Sequence, residues 1–417
     1  MWFEVKDPGD SKEFQVGALY RVMKSAPPLT IDNNILMTSE DYDNLIGNLI
    51  QPHDQLMICE SPRECFEKNA PAFCAPSPED HRVAICDLDY LKKYQVQEGT
   101  PSRYGGIATV RNNTIVEISG VSEGEPDFER KLNVFLSSFA VHLVVVRHAN
   151  MGHLALYQKY VMKLTANKSK AFKKKWTGNQ NAELLFKAMT PKRTNTVNWN
   201  IQVLIGPGNS LVGRACSFTN DALTLLNIDK YNEYYGKSPD EAVDEIGSSG
   251  SVAWNNACHH AWEAAKTVVN AICRDDIDLE GSVVTGEDLN ELTMLLWTGS
   301  DVTGEDLNEL AMLLWTGSFY HGFIGDFQLD NVNKGNLPFL LTGEAHVQSK
   351  AYGTLSTTIG ASTMTRTMDT HTLGKYFYTQ AARDAWKTFE LELTTAAEMT
   401  GIEGFTYEGA VYNAIDF

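Results

Sequence analysis

Two of the chain's ten histidines stand five apart in His148-Ala-Asn-Met-Gly-His153, inside its most continuous apolar stretch. Burying two imidazoles in an apolar helix needs a reason, either a hydrogen-bond acceptor or a metal. On an ideal α-helix an i,i+5 pair diverges by about 140°, so the two rings do not face one ion. A π-type turn, with i→i+5 bonding, brings them to nearly one side, and such turns gather at functional sites. Read alone, the spacing fits two core histidines satisfied by backbone carbonyls better than it fits a metal pair. A third histidine, His321, lies in a second apolar stretch between Leu310 and Gln328. An imidazole from a separate helix would make a nitrogen-rich site with open positions, suited to iron, manganese or zinc.

The elements that must position these residues are mostly helices. Residues 131–164 carry apolar residues at helical spacing with no proline, longer than an average helix. Further helices are expected at 181–190, 253–274, 286–300, 304–325 and 378–400. Ahead of them, Val83-Ala-Ile-Cys-Asp-Leu and Gly106-Ile-Ala-Thr-Val read as strands. Arg111-Asn-Asn is a hairpin turn leading into a third strand, Thr114-Ile-Val-Glu-Ile. Residues 1–82 are rich in Pro, Asp and Asn and read as an irregular N-terminal segment packed on a helical body that spans 83–417. The fold class expected is therefore mainly α, with a few short antiparallel strands near the N-terminus.

The sequence TGEDLNELTMLLWTGSDV, residues 285–302, is followed at once by TGEDLNELAMLLWTGSFY, residues 303–320. A period of 18 residues is about five helical turns, so a duplication returns to the same face. A break at Gly299-Ser300-Asp301 would instead give a helical hairpin, with Thr303 and Asp306 as a capping-box-like start. Two copies are too few for a solenoid, and a local insertion is the simpler reading.

A net charge of −18 argues against nucleic acid as the main partner. The seven cysteines, at 59, 65, 74, 86, 216, 258 and 273, have no CxxC spacing and read as free thiols of a reducing compartment. The opening MWFEVKDPGDSKEF is acidic and lacks an apolar core, so the expected location is cytoplasmic. The basic run Lys168–Trp176 reads first as a solvated loop and at most as a weak contact with an anionic membrane surface. His259 and His260 are adjacent, and neighbours on a helix point about 100° apart, so they are no metal pair. His142 is a candidate outer partner for the histidine pair.

The histidines gain weight from their surroundings. Glu305-Asp306-Leu307-Asn308-Glu309, then Trp315-Thr-Gly-Ser318-Phe-Tyr-His321, then Asp326-Phe327-Gln328 resembles the lipoxygenase pattern E-D-L-x-E…W-x-x-S-x-x-H-x-x-x-N-F-x-Q. The H-x4-H pair resembles that family's central helix. Ala84–Tyr90, Gly106–Ile118, Trp262–Asn270 and Leu355–Gly374 resemble other stretches in the family's order, so the resemblance spans roughly 83–417. The family's N-terminal β-barrel domain has no counterpart in residues 1–82.

This resemblance implies a lipoxygenase-like helical catalytic domain. It implies a non-haem iron, or manganese, bound by His148, His153 and His321 and by the main-chain carboxylate of Phe417. It implies hydrogen abstraction from a polyunsaturated fatty acid, or a similar apolar unsaturated substrate, followed by addition of O2. Two departures stand out. The chain ends on Phe417 where the family usually has isoleucine, and Gly325 occupies the position of the family's fourth side-chain ligand. The glycine points equally to a redirected activity, such as hydroperoxide rearrangement or oxidative tailoring of another metabolite, and to an inactive lipid-binding protein. Gly208, in the Gly206-Pro-Gly208 stretch, matches the family's small residue beside the oxygen channel, though the stretch also reads as a plain turn. Oligomeric state is not legible.

Overall fold

The histidine pair is carried by a helix that changes character midway. Helix α2 (Phe128–Val141) passes without a break into a π segment (His142–Gln158), which returns to α geometry in α3 (Lys159–Ala166). The computed structural model describes residues 61–80, 82–166, 181, 185, 205–207, 212–213, 216–274, 304–328, 341, 368–369, 374, 377, 379–406 and 414–415. Among these, Phe128–Val161 alone has the length and hydropathy of a membrane span, but 83% of its apolar window is buried in the protein. It is a core helix, clothed by its neighbours. Leu143, Val144, Val145, Ala149 and Ala155 along it have no exposed surface.

Ahead of it, α1 (Pro62–Asn69) starts with Ser61 as N-cap, whose side chain accepts from the Glu64 amide. A five-stranded antiparallel meander follows: β1 (Ala75–Pro76), β2 (Val83–Asp87), β3 (Ile107–Arg111), β4 (Thr114–Ile118) and β5 (Val121–Ser122), paired in chain order. The β3–β4 turn is made by Asn112 and Asn113 at φ 50° and 60°. Two consecutive left-handed residues match the right-handed twist of the flanking strands, and asparagine tolerates that conformation. Glu117 pairs with Thr109 and Ile115 with Val110, so Val116 is an extra residue that bends the strand. The sheet meets the long helix at Gly105 and Gly106, both at positive φ, where a Cβ on Gly106 would already touch Phe135. Ser138 seals the join, its Oγ accepting from the Gly105 amide at 2.7 Å.

Helices α4 (Asn220–Tyr235), α5 (Pro239–Ser248), α6 (Val252–Arg274), α7 (Gly304–Trp315) and α8 (Gln380–Met399) complete the body. Helix α4 packs on the π segment, and α6 lies against α5, α7 and α8. Trp254, Trp262, Trp315 and Trp386 are almost fully buried between these helices; each stabilises by several kcal/mol, at about 25 cal/mol per Å² of apolar surface. Two further π segments, Thr316–Tyr320 and Gly322–Phe327, extend α7 and flank His321. A two-stranded sheet of β6 (Met368–Asp369) and β7 (Ala414–Ile415) brings the C-terminal strand onto the first of them.

Most helical expectations meet described helices in place: 131–164, 253–274, 304–325 and 378–400. Of the one expected at 181–190 only Asn181 and Leu185 are described, both helical; the one expected at 286–300 lies outside the described residues, as does the first repeat copy, while the second copy forms α7 and the π segment before His321. Three helices were not expected. Helix α5 carries a legible signal, a Ser238/Glu241 capping box with Pro239 at its first position. Helix α4 does not, because its apolar residues are not gathered in a stripe. Helix α1 is short and interrupted by charge.

Candidate metal centre

The π geometry decides the histidine question. With about one residue more per turn than an α-helix, positions five apart fall on one side, and His148 and His153 both turn the same way. His321 arrives from the helix opposite. The three Nε2 atoms form a small triangle: His153 to His148 is 2.9 Å, His321 to His153 3.0 Å, and His148 to His321 3.2 Å. All three side chains are at most 3% exposed.

Three nitrogens at such distances, in an apolar interior, share no obvious set of protons. Burial holds His148 and His153 well below the usual imidazole pKa, and the neighbouring rings of the triad push them further down. They are therefore neutral, the form that binds metal. Nitrogens bound at about 2.1 Å to one ion lie about 3.0 Å apart on the face of an octahedron and about 3.4 Å apart in a tetrahedron. The observed edges, 2.9 to 3.2 Å, are those of three ligands to one such ion. Among the described residues this is the only His, Cys, Asp and Glu group spaced to hold an ion.

Gly325 lies beneath this site, one turn beyond His321. A Cβ built there would stand 2.6 Å from both Cε1 and Nε2 of His321 and 2.9 Å from Cδ2. The imidazole of His321 thus occupies the space that any side chain at 325 would need. The glycine is more than a missing ligand, since it makes room for one that is present.

Three residues that the sequence did not single out join the two ligand-bearing helices. Arg147 is 2% exposed, and its Nε donates to Tyr320 Oη at 3.2 Å. Tyr320 is wholly buried. Lys163, at the far end of the long helix, pairs at 2.8 Å with Glu309 of α7 and ties the two ligand-bearing helices at that end. Spacing gave no warning of these residues, because each matters only through a partner more than a hundred positions away. His142 is held by Tyr90, with Oη 2.7 Å from its Nδ1, and stands edge-on to Phe73; its hydrogen bond goes there rather than to the triad. His259 and His260 pair instead with Asp244 and Glu392. Gly208 and Phe417 lie outside the described residues, although β7 ends two positions before Phe417.

No protein-family profile matches the chain, and no curated protein matches it in sequence. Solved structures do. The manganese lipoxygenase of Gaeumannomyces graminis matches over 96% of this chain and 87% of its own, at 11% identity and a TM-score of 0.50. A lipoxygenase from Fusarium graminearum matches over 88% and 74%, at 10% identity and a TM-score of 0.47. The first of these shows a lipoxygenase-like fold, and at such identities the likeness is one of fold alone.

Proposed function

We propose that this chain is a lipoxygenase-like, metal-dependent oxygenase whose ion is held by His148, His153 and His321. The observation that carries the reading is the convergence of three buried Nε2 atoms about 3 Å apart, inside a lipoxygenase-like fold. Non-haem iron is the ion expected, with manganese the alternative that the name of the fungal neighbour supports. The main-chain carboxylate of Phe417 is the proposed fourth protein ligand, and the packing of β7 on Thr316–Tyr320 favours it. The substrate is a polyunsaturated fatty acid or a similar apolar unsaturated chain, and O2 is the co-substrate, with Gly208 proposed beside the oxygen channel.

A redox metal bound there supplies the one-electron chemistry that hydrogen abstraction and O2 addition require. The chain's own part is to keep His148 and His153 neutral, to turn the three imidazoles to one point, and to exclude water. Leu143, Val144, Leu313, Leu314, Phe319 and Phe323, all buried around the ligand helices, do the latter. The described cysteines form no disulfide, which suits the cytoplasmic placement proposed here.

A second reading has an observation of its own. With residue 325 unable to ligate, the coordination sphere differs from the family pattern, which favours a redirected oxidative activity or a lipid-binding role without turnover. One experiment separates them. Purified protein is analysed for metal, reconstituted with Fe(II) or Mn(II), and given a dienoic fatty acid while O2 uptake and conjugated-diene absorbance are followed. About one ion per chain with diene formation supports the oxygenase. One ion per chain without diene formation or O2 uptake moves the assignment to the second reading, and protein that binds no ion sinks the metal reading.

A further inference from the structure

Metal-bound histidines ordinarily have their ring orientation fixed from behind, by a hydrogen bond from the second ring nitrogen to a carbonyl or carboxylate. At His148 and His153 that support is missing: neither Nδ1 has a hydrogen-bond partner among the described residues. Something else must hold the two ligand-bearing helices in register. Their immediate neighbours do so.

Arg147 precedes His148, and Tyr320 precedes His321. Besides the bond from Arg147 Nε to Tyr320 Oη, the phenol donates back to the Arg147 carbonyl at 3.0 Å, with Met151 Sδ 2.9 Å away. Tyr320 therefore grips the π segment on both sides of His148. Its ring runs close beneath the backbone between the two ligands, where a Cβ on Gly152 would stand 3.5 Å from it. The guanidinium is anchored in turn. Nη1 donates to Ser249 Oγ at 2.7 Å, at the end of α5, and the group lies over the Phe73 ring at 5.5 Å. It forms no ion pair with a carboxylate among the described residues, and its Nη2 is buried without a hydrogen-bond partner. A buried cation held by neutral groups is expensive. That expense, one residue from a ligand, asks for a purpose beyond packing.

We propose that Arg147 and Tyr320 are positioning residues that set the spacing between His321 and the His148/His153 pair, in place of the outer hydrogen bonds that His148 and His153 do not make among the described residues. The inference rests on the metal reading above. Its test is a cycle of Tyr320→Phe, Arg147→Met and the double variant in the full chain. Metal-free protein is titrated with Co(II), read by its visible absorption, and thermal unfolding of the metal-free form is measured alongside. Each single variant should bind Co(II) about ten- to a hundredfold more weakly, with a shifted visible band. In the double variant no guanidinium is left stranded, so metal-free stability should recover relative to Tyr320→Phe while Co(II) affinity stays low. Affinity that recovers together with stability, or single variants that bind like the parent, would overturn the positioning role. A parent protein that takes up no Co(II) would instead overturn the metal reading itself.

Discussion

Gly325→Ala tests whether the glycine serves the metal centre by leaving space. The added Cβ would stand 2.6 Å from two atoms of the His321 ring. Carbon contacts are comfortable at about 3.5–4.0 Å, so the ring must retreat by roughly 1 Å. The two nearest atoms, Cε1 and Nε2, are at the outer end of the imidazole, with Cδ2 next at 2.9 Å, so the retreat falls on the ligating nitrogen. Separations now at 3.0 and 3.2 Å would open toward about 4 Å, beyond the roughly 0.5 Å that a metal site tolerates. Disturbances of ligand orientation cost about 10- to 100-fold in metal affinity, or about 1.4–2.7 kcal/mol.

The assay is Mn(II) titration of metal-free protein, with thermal unfolding of the metal-free form as the check on folding. Overpacking should cost the metal-free protein about 1–3 kcal/mol. Gly304→Ala makes the same chemical change at the start of the same helical run, where a Cβ meets nothing within 4 Å, and should bind metal like the parent. Gly325→Asn should bind no better than Gly325→Ala, although it restores the family's ligand type, because its Cβ meets the same ring. Undiminished Mn(II) affinity in Gly325→Ala would refute the reasoning, and tighter binding by Gly325→Asn would show that 325 is a vacant ligand position after all.

Three other outcomes are expected. His153→Ala removes one corner of the triangle and should lower bound metal, measured by elemental analysis after dialysis, by more than about a hundredfold, beyond the outer-shell range. His142 is held well below the usual imidazole pKa by burial and then by Arg147 and Lys230, so it is neutral when folded and protonates on unfolding below about pH 6.5. Its contribution is present at neutral pH and lost as pH falls, at about 1.4 kcal/mol per unit; urea unfolding of metal-free His142→Gln between about pH 5 and 6 should therefore show a pH slope smaller by one proton. Asn113→Val places a β-branched residue at φ 60° and should destabilise the β3–β4 hairpin by about 1–2 kcal/mol in the same assay, whereas an unchanged midpoint would mean the turn had relaxed.

What the sequence revealed, and what it withheld, follows from the range of the interactions. Arg111-Asn-Asn-Thr114 specifies its turn through two asparagines that accept positive φ, a purely local preference. The long apolar run specifies a buried helix because its surface leaves no polar face. The spacing of His148 and His153 could only pose the question, since α and π geometry put the same residues on different sides. Tertiary packing chose between them. Arg147 and Tyr320 were beyond reach for another reason: each looks like an ordinary polar residue until the other stands beside it, 173 positions along the chain.

Gly325 shows where resemblance alone misleads. Set against a family pattern, a glycine at a ligand position reads as a subtraction, and the natural inference is a weakened site. In space it reads as room for the His321 ring in its present place, because that ring lies where a side chain at 325 would begin and would have to shift to admit one. A site in which the His321 ring lies where a side chain at 325 would begin needs its remaining donors from elsewhere, and β7, which ends two positions before Phe417, packs on Thr316–Tyr320. If that carboxylate completes the sphere, removal of Phe417 should cost metal affinity while leaving the thermal stability of the metal-free protein nearly unchanged. Retained Mn(II) affinity after that deletion would mean that the three histidines hold the ion without it.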